Sequence, residues 1–195
     1  MEKSYRVNDI FYSLQGEGHN TGRAAVFVRF SGCNLHCPFC DTDFSHFETL
    51  TAPEIIRRMQ ALTPQGEDSP IVVLTGGEPT LQVDSDLLDA IHAAGFPFIA
   101  MESNGTKEPP AGLDWLTVSP KENVSVRQCS ELKVLFNGTD EPDDLGIQAT
   151  YYYLQPLDAG NETENRRMVD GSIEYIKAHP RWRLSLQTHK LIGIK

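Results

Sequence analysis

Seven short runs rich in β-branched and aromatic residues alternate with more polar segments along this chain of 195 residues. Most of the runs are almost continuously apolar and do not alternate between apolar and polar positions. That pattern is typical of strands covered on both faces, as in the parallel sheet of an α/β protein. The predicted strands are 24–30, 71–75, 97–103, 114–119, 131–136, 151–155 and 183–187.

Three segments between these runs carry helical signals. The first opens with Thr51-Ala-Pro-Glu54, which has the form of a capping box, and its apolar residues are spaced for one helix face. The third is polar and is predicted to be interrupted by Gly171. The predicted helices are 51–62, 84–95 and 162–179.

Two connections between predicted strands are too short for a crossover helix. Residues 104–114 contain a Pro-Pro pair and a glycine, and residues 120–130 lack helical periodicity. Because a parallel crossover normally needs about a dozen residues, both are predicted to be minimal extended crossovers. The predicted fold is α/β, a reduced partial (β/α) barrel with some crossover helices trimmed, formed by residues 1–195 as a single domain. In such folds the carboxyl ends of the strands form the functional edge.

Composition and charge narrow the class of protein. The formal net charge of −10 and the pI near 5.0 argue against a nucleic-acid partner, although a local basic pocket for a small anion is compatible with them. The sequence shows neither a signal-peptide pattern nor an apolar run of the roughly 18 residues that span a bilayer. We therefore expect a cytoplasmic protein without a membrane partner. In a reducing compartment, four cysteines indicate metal or redox chemistry more than disulfides.

Three of the cysteines, Cys33, Cys37 and Cys40, form a C-x₃-C-x₂-C arrangement in the loop 31–43. One interpretation is a 4Fe–4S cluster that the three thiolates bind at three irons, so that the fourth iron is open to a ligand. The alternatives are a structural zinc site completed by a nearby histidine and a chance group of core cysteines. The histidines considered for zinc are His36 and His46, and the distant Cys129 is predicted not to be a ligand.

Polar and glycine-rich residues collect at the carboxyl ends of the predicted strands. TGGEPT (75–80) follows the second strand; adjacent glycines let a ligand approach the backbone, and Glu78 can accept from an ammonium group. Taken alone, this could be an ordinary turn. Its repetition at other strand ends predicts one site along this edge. The other strand ends carry Glu102, Ser119-Pro120-Lys121, Gln155 and Gln187-Thr188-His189.

The cysteine spacing after the first strand and GGEP after the second resemble the radical S-adenosylmethionine (SAM) superfamily. That resemblance implies that SAM binds the open iron and that reduction generates a radical able to abstract a substrate hydrogen. Further blocks extend the match from about Asn8 to the C-terminus and are similar to the 7-carboxy-7-deazaguanine synthase family. These blocks are SLQGEG, VRFSGCNLHCPFCDT, VLTGGEPT, MESNGT, TVSPK, YYLQP and LSLQTHK.

The family resemblance implies a reaction and its partners. The substrate would be 6-carboxy-5,6,7,8-tetrahydropterin, converted to 7-carboxy-7-deazaguanine with loss of ammonia, in queuosine and other 7-deazapurine biosynthesis. SAM would be regenerated and Mg²⁺ would assist. The resemblance also implies a homodimer and a flavodoxin-like or similar electron donor.

The resemblance assigns roles to individual residues as well. Cys33, Cys37 and Cys40 would hold the cluster, and Thr42 would contact Mg²⁺. Arg29 would meet the substrate carboxylate, a task suited to a guanidinium fork. The implied substrate-binding residues are Leu14, Gln15, Gly16, Glu17, Arg29, Thr75, His189 and the carboxylate-bearing Lys195. The implied SAM-binding residues are Phe39, Gly76, Gly77, Glu78, Glu102, Ser119, Pro120, Lys121 and Gln155.

Two rival functions remain open at this point. A radical SAM activase that installs a glycyl radical on a partner protein would need a broad docking face and would have no use for SLQGEG, Arg29 or QTHK. A zinc-binding module without enzymatic activity would use GGEP only as a packing turn. Iron and sulfide analysis with a visible spectrum separates the second rival from an iron–sulfur enzyme.

Overall fold

The structure is a computed structural model. Two of the residues assigned above, Phe39 and Thr42, lie outside the residues that it describes. It describes residues 3–38, 40, 43, 45–64 and 68–195.

In the part of the chain that the structure describes, nine strands form one open sheet, as the predicted partial barrel requires. They are β1 (Ser4–Leu14), β2 (Ala24–Phe30), β3 (Glu48–Thr51), β4 (Ile71–Gly76), β5 (Ile99–Ser103), β6 (Trp115–Val118), β7 (Gln128–Phe136), β8 (Gln148–Pro156) and β9 (Trp182–Leu184). Their order across the sheet is β3-β1-β2-β4-β5-β6-β7-β8-β9. β2 and β4 to β9 are mutually parallel, whereas β1 runs antiparallel to both β2 and β3.

The described residues also form four α-helices: α1 (Ala52–Leu62), α2 (Ser85–Ala93), α3 (Glu162–Ala178) and the short α4 (Thr188–Ile192), which had not been predicted. The capping box of α1 is confirmed, because the Glu54 carboxylate accepts the Thr51 N–H at 2.8 Å. The predicted interruption of α3 at Gly171 is wrong. A Cβ at Gly171 would lie 2.4 Å from the Gly138 carbonyl oxygen, so the glycine allows a loop to pack closely against a continuous helix.

The two minimal crossovers are confirmed. β5 pairs with β6, and β6 with β7, in parallel register with no α-helix between them. The helices that remain bury their apolar faces against the sheet and form one large core with it, which includes Ile55, Leu87 and Ile91. None of the helices described in this chain is both long and apolar enough to cross a membrane.

The strand β1 was not predicted, although Tyr5, Val7 and Phe11 occupy buried positions separated by polar residues. Because β1 is antiparallel to β2, its last residue, Leu14, pairs with Ala24 at the start of β2. Residues 15–23 therefore begin at the sheet edge opposite the cysteine loop. The Gly18 N–H, which reaches the Ser185 hydroxyl at 2.9 Å, shows that this segment turns into the interior of the partial barrel.

Candidate active site

A cavity of about 630 Å³ lies on the inner side of the sheet. Every site residue predicted above that the structure describes lines this cavity, with the exception of Glu78 and Pro120. The lining residues from that set are Leu14, Gln15, Gly16, Glu17, Arg29, Cys33, Cys37, Cys40, Thr75, Gly76, Gly77, Glu102, Ser119, Lys121, Gln155, His189 and Lys195. The residues that the sequence places at the ends of different strands thus line one cavity.

The three cysteines line the cavity, and none of them forms a disulfide. The sulfur of Cys33 accepts the Leu35 N–H at 3.4 Å and the Asn104 side-chain amide at 3.8 Å. Soft thiols that face one cavity and receive N–H donors fit an iron–sulfur cluster. Among the described residues, no three His, Cys, Asp or Glu side chains converge closely enough to hold a single metal ion.

The glycine pair at the end of β4, Gly76 and Gly77, is required by close packing against the end of β2 and the start of the cysteine loop. A Cβ on Gly76 would lie 2.2 Å from the Phe30 carbonyl oxygen, and one on Gly77 would lie 2.0 Å from the Gly32 carbonyl oxygen. The N–H groups of Gly77 and Glu78 donate to these same two oxygens at 3.0 and 2.9 Å. These two N–H groups are therefore already used, and the turn holds the cysteine loop in place while its glycines line the cavity.

Glu78 does not line the cavity, and neither does Pro120. The buried Glu78 carboxylate accepts from the N–H and hydroxyl of Thr80, from the Ser103 hydroxyl and from the Asn104 N–H, at 2.6–3.0 Å. This arrangement does not support the expectation that Glu78 receives the SAM ammonium group. Instead, the carboxylate joins the ends of β4 and β5 beneath the cysteine loop.

Replacing Glu78 by glutamine is expected to lower the free energy of unfolding by about 1–3 kcal/mol, the cost of an unpaired buried donor. One oxygen of the Glu78 carboxylate accepts three hydrogen bonds, from Thr80 and Ser103, and the other accepts the Asn104 N–H. If the glutamine oxygen takes the first position, its NH₂ group faces the Asn104 N–H, and two donors then face each other. Anaerobic urea unfolding measures the change, with the exposed Glu122→Gln as the matched control. Equal stabilities of the two variants would contradict this role of Glu78.

The centre of the cavity holds a buried charge network that was not predicted. The Lys133 ammonium forms ion pairs with Glu17 at 2.6 Å and with Glu102 at 3.1 Å. Burial opposes ionisation of Glu17, but Lys133 lowers its pKa to about 2. Burial raises the pKa of Glu102, an effect that Lys133 opposes and the Glu17 charge increases. Burial and the charge of Glu102 raise the pKa of the nearby Glu131 to about 7.

A second lysine borders the cavity on the cysteine side. Lys121 donates to the Ser119 carbonyl oxygen at 3.1 Å. Burial and the positive charge of Lys133 lower the pKa of Lys121 to about 8. Below this pH the Lys121 ammonium is positively charged and attracts anions, so it is suited to bind an anionic group of a ligand.

The part of the cavity wall formed by β1, β2 and the C-terminal residue combines aromatic faces with positive charge. Phe11 and Phe27 stack with their ring centroids 4.7 Å apart. The Arg29 guanidinium lies 5.4 Å from the Phe11 centroid, and the Lys195 ammonium lies 4.7 Å from it. A flat ligand that carries an anionic group matches this combination of surfaces.

The C-terminal segment covers the SLQGEG block. The Thr188 N–H donates to the Gly16 carbonyl oxygen at 2.9 Å, and the Gln187 amide donates to the Glu17 carboxylate at 3.1 Å. A Cβ on Gly16 would lie 2.4 Å from the His189 ring nitrogen Nδ1, so only glycine permits this contact. QTHK and SLQGEG therefore pack directly against each other.

Lys195 is tied back to β1. Its main-chain oxygen accepts the Ser13 hydroxyl at 2.7 Å, and its ammonium forms an ion pair with Asp9. The residue lines the cavity next to Phe11. This position is consistent with the implied substrate-binding role of Lys195, although its carboxylate already accepts a hydrogen bond from the protein.

Comparisons with known proteins agree with this geometry. Residues 27–121 match the family model of the radical SAM superfamily. The 7-carboxy-7-deazaguanine synthase of Bacteroides thetaiotaomicron is 42% identical, with 97% of this chain and 98% of the relative covered. That of Bradyrhizobium diazoefficiens is 44% identical, with 98% of this chain and 100% of the relative covered. The crystal structure of QueE from Escherichia coli has a TM-score of 0.72 at 27% identity, and the match covers 95% of each chain.

The matched region contains the three cysteines, the glycine turn and Glu102. The full-length relatives extend the similarity to the SLQGEG block and to QTHK at the two ends of the chain. The chain therefore belongs to the 7-carboxy-7-deazaguanine synthase family of the radical SAM superfamily.

Proposed function

We propose that this protein is a radical SAM lyase that converts 6-carboxy-5,6,7,8-tetrahydropterin to 7-carboxy-7-deazaguanine with release of ammonia, in 7-deazapurine and queuosine biosynthesis. Relatives named 7-carboxy-7-deazaguanine synthase over nearly the full length support this reaction. One observation of the site carries the proposal. A single cavity is lined by three cysteines that form no disulfide, by Arg29 and by two stacked aromatic rings.

A 4Fe–4S cluster and SAM are the cofactors of the radical SAM superfamily, and Cys33, Cys37 and Cys40 are the residues that would hold the cluster. When bound, these groups supply the radical chemistry that side chains cannot provide. The protein positions them. On this side of the cavity, Ser119, Lys121, Gln155 and Glu102 offer donors and acceptors to SAM.

The substrate side of the cavity fits a flat heterocycle with a carboxylate. Arg29 provides a positive fork for the carboxylate, and Phe11 and Phe27 provide apolar faces. The Glu17 carboxylate, kept ionised by Lys133, accepts hydrogen bonds from N–H groups of the ring edge. The segment 187–189, packed on SLQGEG, shields this end from water.

The remaining features of the proposal rest on the family resemblance. Mg²⁺ assists at the substrate carboxylate, with Thr42 as its contact. The protein acts in the cytoplasm as a homodimer, receives electrons from a flavodoxin-like donor, and uses SAM catalytically.

The experiment that tests the proposal is anaerobic turnover by reconstituted protein. The purified chain with its iron and sulfide quantified is incubated with SAM, a reductant, Mg²⁺ and 6-carboxy-5,6,7,8-tetrahydropterin, and the product is identified by mass and ultraviolet spectrum. We expect 7-carboxy-7-deazaguanine from the wild type and none from Cys37→Ala. A fully reconstituted wild-type cluster that cleaves SAM but yields no 7-deazapurine would contradict the proposed function.

A further inference from the structure

Lys133 is a cation placed inside the partial barrel by the pleat of β7. Along this strand, Leu132, Val134 and Phe136 pack in the main core, so the alternate residues face the other way. The Lys133 side chain is only 5% exposed. Burying an ammonium ion alone costs several kcal/mol, and this lysine is therefore expected to have a defined partner set.

The partners come from two distant parts of the chain. One is Glu17, in the segment after β1, and the other is Glu102, near the end of β5. Each carboxylate uses one oxygen for Lys133 and the other for a neutral amide: Gln187 donates to Glu17 at 3.1 Å, and Gln15 donates to Glu102 at 3.2 Å. Lys133 thus fixes the mutual position of two carboxylates that both line the cavity.

The charge balance of this network depends on Lys133. A further acid, Glu131, lies one pleat away; it is 2% exposed, and its Oε1 atom has no hydrogen-bond partner among the described residues. Without the ammonium, several buried carboxylates would share one space, and one of them would take up a proton. A protonated carboxyl group is a donor as well as an acceptor, so it would no longer present the same face to a ligand N–H.

We propose that Lys133 is a positioning residue for the reaction, which holds the ionised Glu17 on the substrate side and Glu102 on the cofactor side as two hydrogen-bond acceptors at a fixed separation. The inference rests on the proposed function for the identity of the substrate. Neither the sequence motifs nor the family resemblance singles out Lys133.

The titration of this network involves charged groups from every element around it. Loss of the positive charge raises the carboxyl pKa values, because the opposing ammonium is removed. Ligand binding that needs ionised carboxylates then requires a higher pH. The facing groups are Glu17 after β1, Glu102 on β5, Lys121 after β6, Glu131 on β7 and His189 on α4.

The test compares Lys133→Met with wild type in the anaerobically reconstituted holoprotein. The dissociation constant of 6-carboxy-5,6,7,8-tetrahydropterin in the presence of SAM is measured by calorimetry over a range of pH. We expect affinity at neutral pH to fall about 10- to 100-fold, as for loss of a charged hydrogen bond. We also expect the pH midpoint of binding to rise by about one unit or more. Lys177→Met, which removes an exposed lysine paired with Glu174 on α3, is the matched control and should leave both values unchanged.

Weaker binding with an unchanged pH midpoint would mean a purely structural role and would overturn the inference, as would unchanged affinity. If Lys133→Met does not fold, Lys133→Arg replaces it: a retained midpoint with weaker binding supports the inference, and a shifted midpoint overturns it.

If the wild type binds no pterin, the proposed function fails, and infrared spectra of the carboxyl groups then decide the inference about Lys133. An additional protonated carboxyl at neutral pH in Lys133→Met supports the inference, and its absence overturns it.

Discussion

Replacing Arg29 by alanine is expected to lower turnover of the pterin by roughly 10²- to 10³-fold while reductive cleavage of SAM remains measurable. Arg29 pairs in register with Thr75 of β4 and lines the cavity beside Phe11. We propose that its guanidinium meets the substrate carboxylate in two hydrogen bonds. Removing one partner of a buried charge pair typically costs 2–5 kcal/mol, which corresponds to this loss of rate.

Two further variants sharpen the Arg29 experiment. Arg29→Lys keeps the charge but loses the fork, so we expect intermediate turnover. Arg57→Ala removes an exposed arginine of α1 outside the cavity and should behave as wild type. If SAM cleavage disappears together with turnover in Arg29→Ala, while the iron content is intact, the assignment of Arg29 to the substrate side is wrong.

Replacing Gly77 by alanine is expected to have the largest effect on the cluster site. The added Cβ would lie 2.0 Å from the Gly32 carbonyl oxygen and 3.0 Å from the Cys33 nitrogen, both of which are backbone atoms. The cysteine loop must therefore move. Overpacking typically costs 1–3 kcal/mol, and a clash with backbone is expected at about 3 kcal/mol or above. Urea unfolding of the apoprotein measures this loss, and iron and sulfide per chain after reconstitution should fall well below the wild-type values.

Gly146→Ala separates a clash from ordinary backbone strain. Gly146 has a φ of +68°, but a Cβ there meets no atom within 4 Å. Alanine should therefore cost only about 1–2 kcal/mol of backbone strain and leave the iron content unchanged. Full iron incorporation in Gly77→Ala at wild-type stability would show that the glycine turn does not hold the cysteine loop.

The sequence predicted the candidate site best where its residues stand at the ends of strands. In a parallel sheet the carboxyl ends of neighbouring strands meet, so residues such as Glu102, Ser119 and Gln155 could be assigned to one edge before their contacts were known. The short links before β6 and β7 likewise left only extended crossovers. Local spacing and strand polarity determine these features.

Contacts between distant segments could not be predicted in the same way. β1 was missed, and its antiparallel course is what carries Glu17 into the interior to meet Lys133. In β7 the polar residues Glu131 and Lys133 alternate with apolar residues, and this was a usable signal for an inward polar face. The carboxylates that neutralise Lys133, however, come from other parts of the chain. Glu78 was assigned as a ligand residue because its partners, Ser103 at the end of β5 and Asn104 directly after it, are not encoded by the spacing of GGEP.

Gly171 illustrates the same limit for a single residue. A glycine in a polar helical segment favours a break on local propensity. The closely packed loop at Gly138 reverses that preference, and this contact is visible only once α3 and the segment after β7 are placed together.

The central claim is that one cavity brings the cluster, SAM and the pterin together, with Lys133 between the two ligand sides. The most direct measurement is an anaerobic crystal structure of the reconstituted protein with SAM and 6-carboxy-5,6,7,8-tetrahydropterin bound. We expect the pterin carboxylate at Arg29, its ring edge at Glu17, and SAM between the cysteines and Glu102, with the Lys133 ion pairs intact. Pterin bound outside this cavity, or SAM remote from Glu102 and Gln155, would contradict the account.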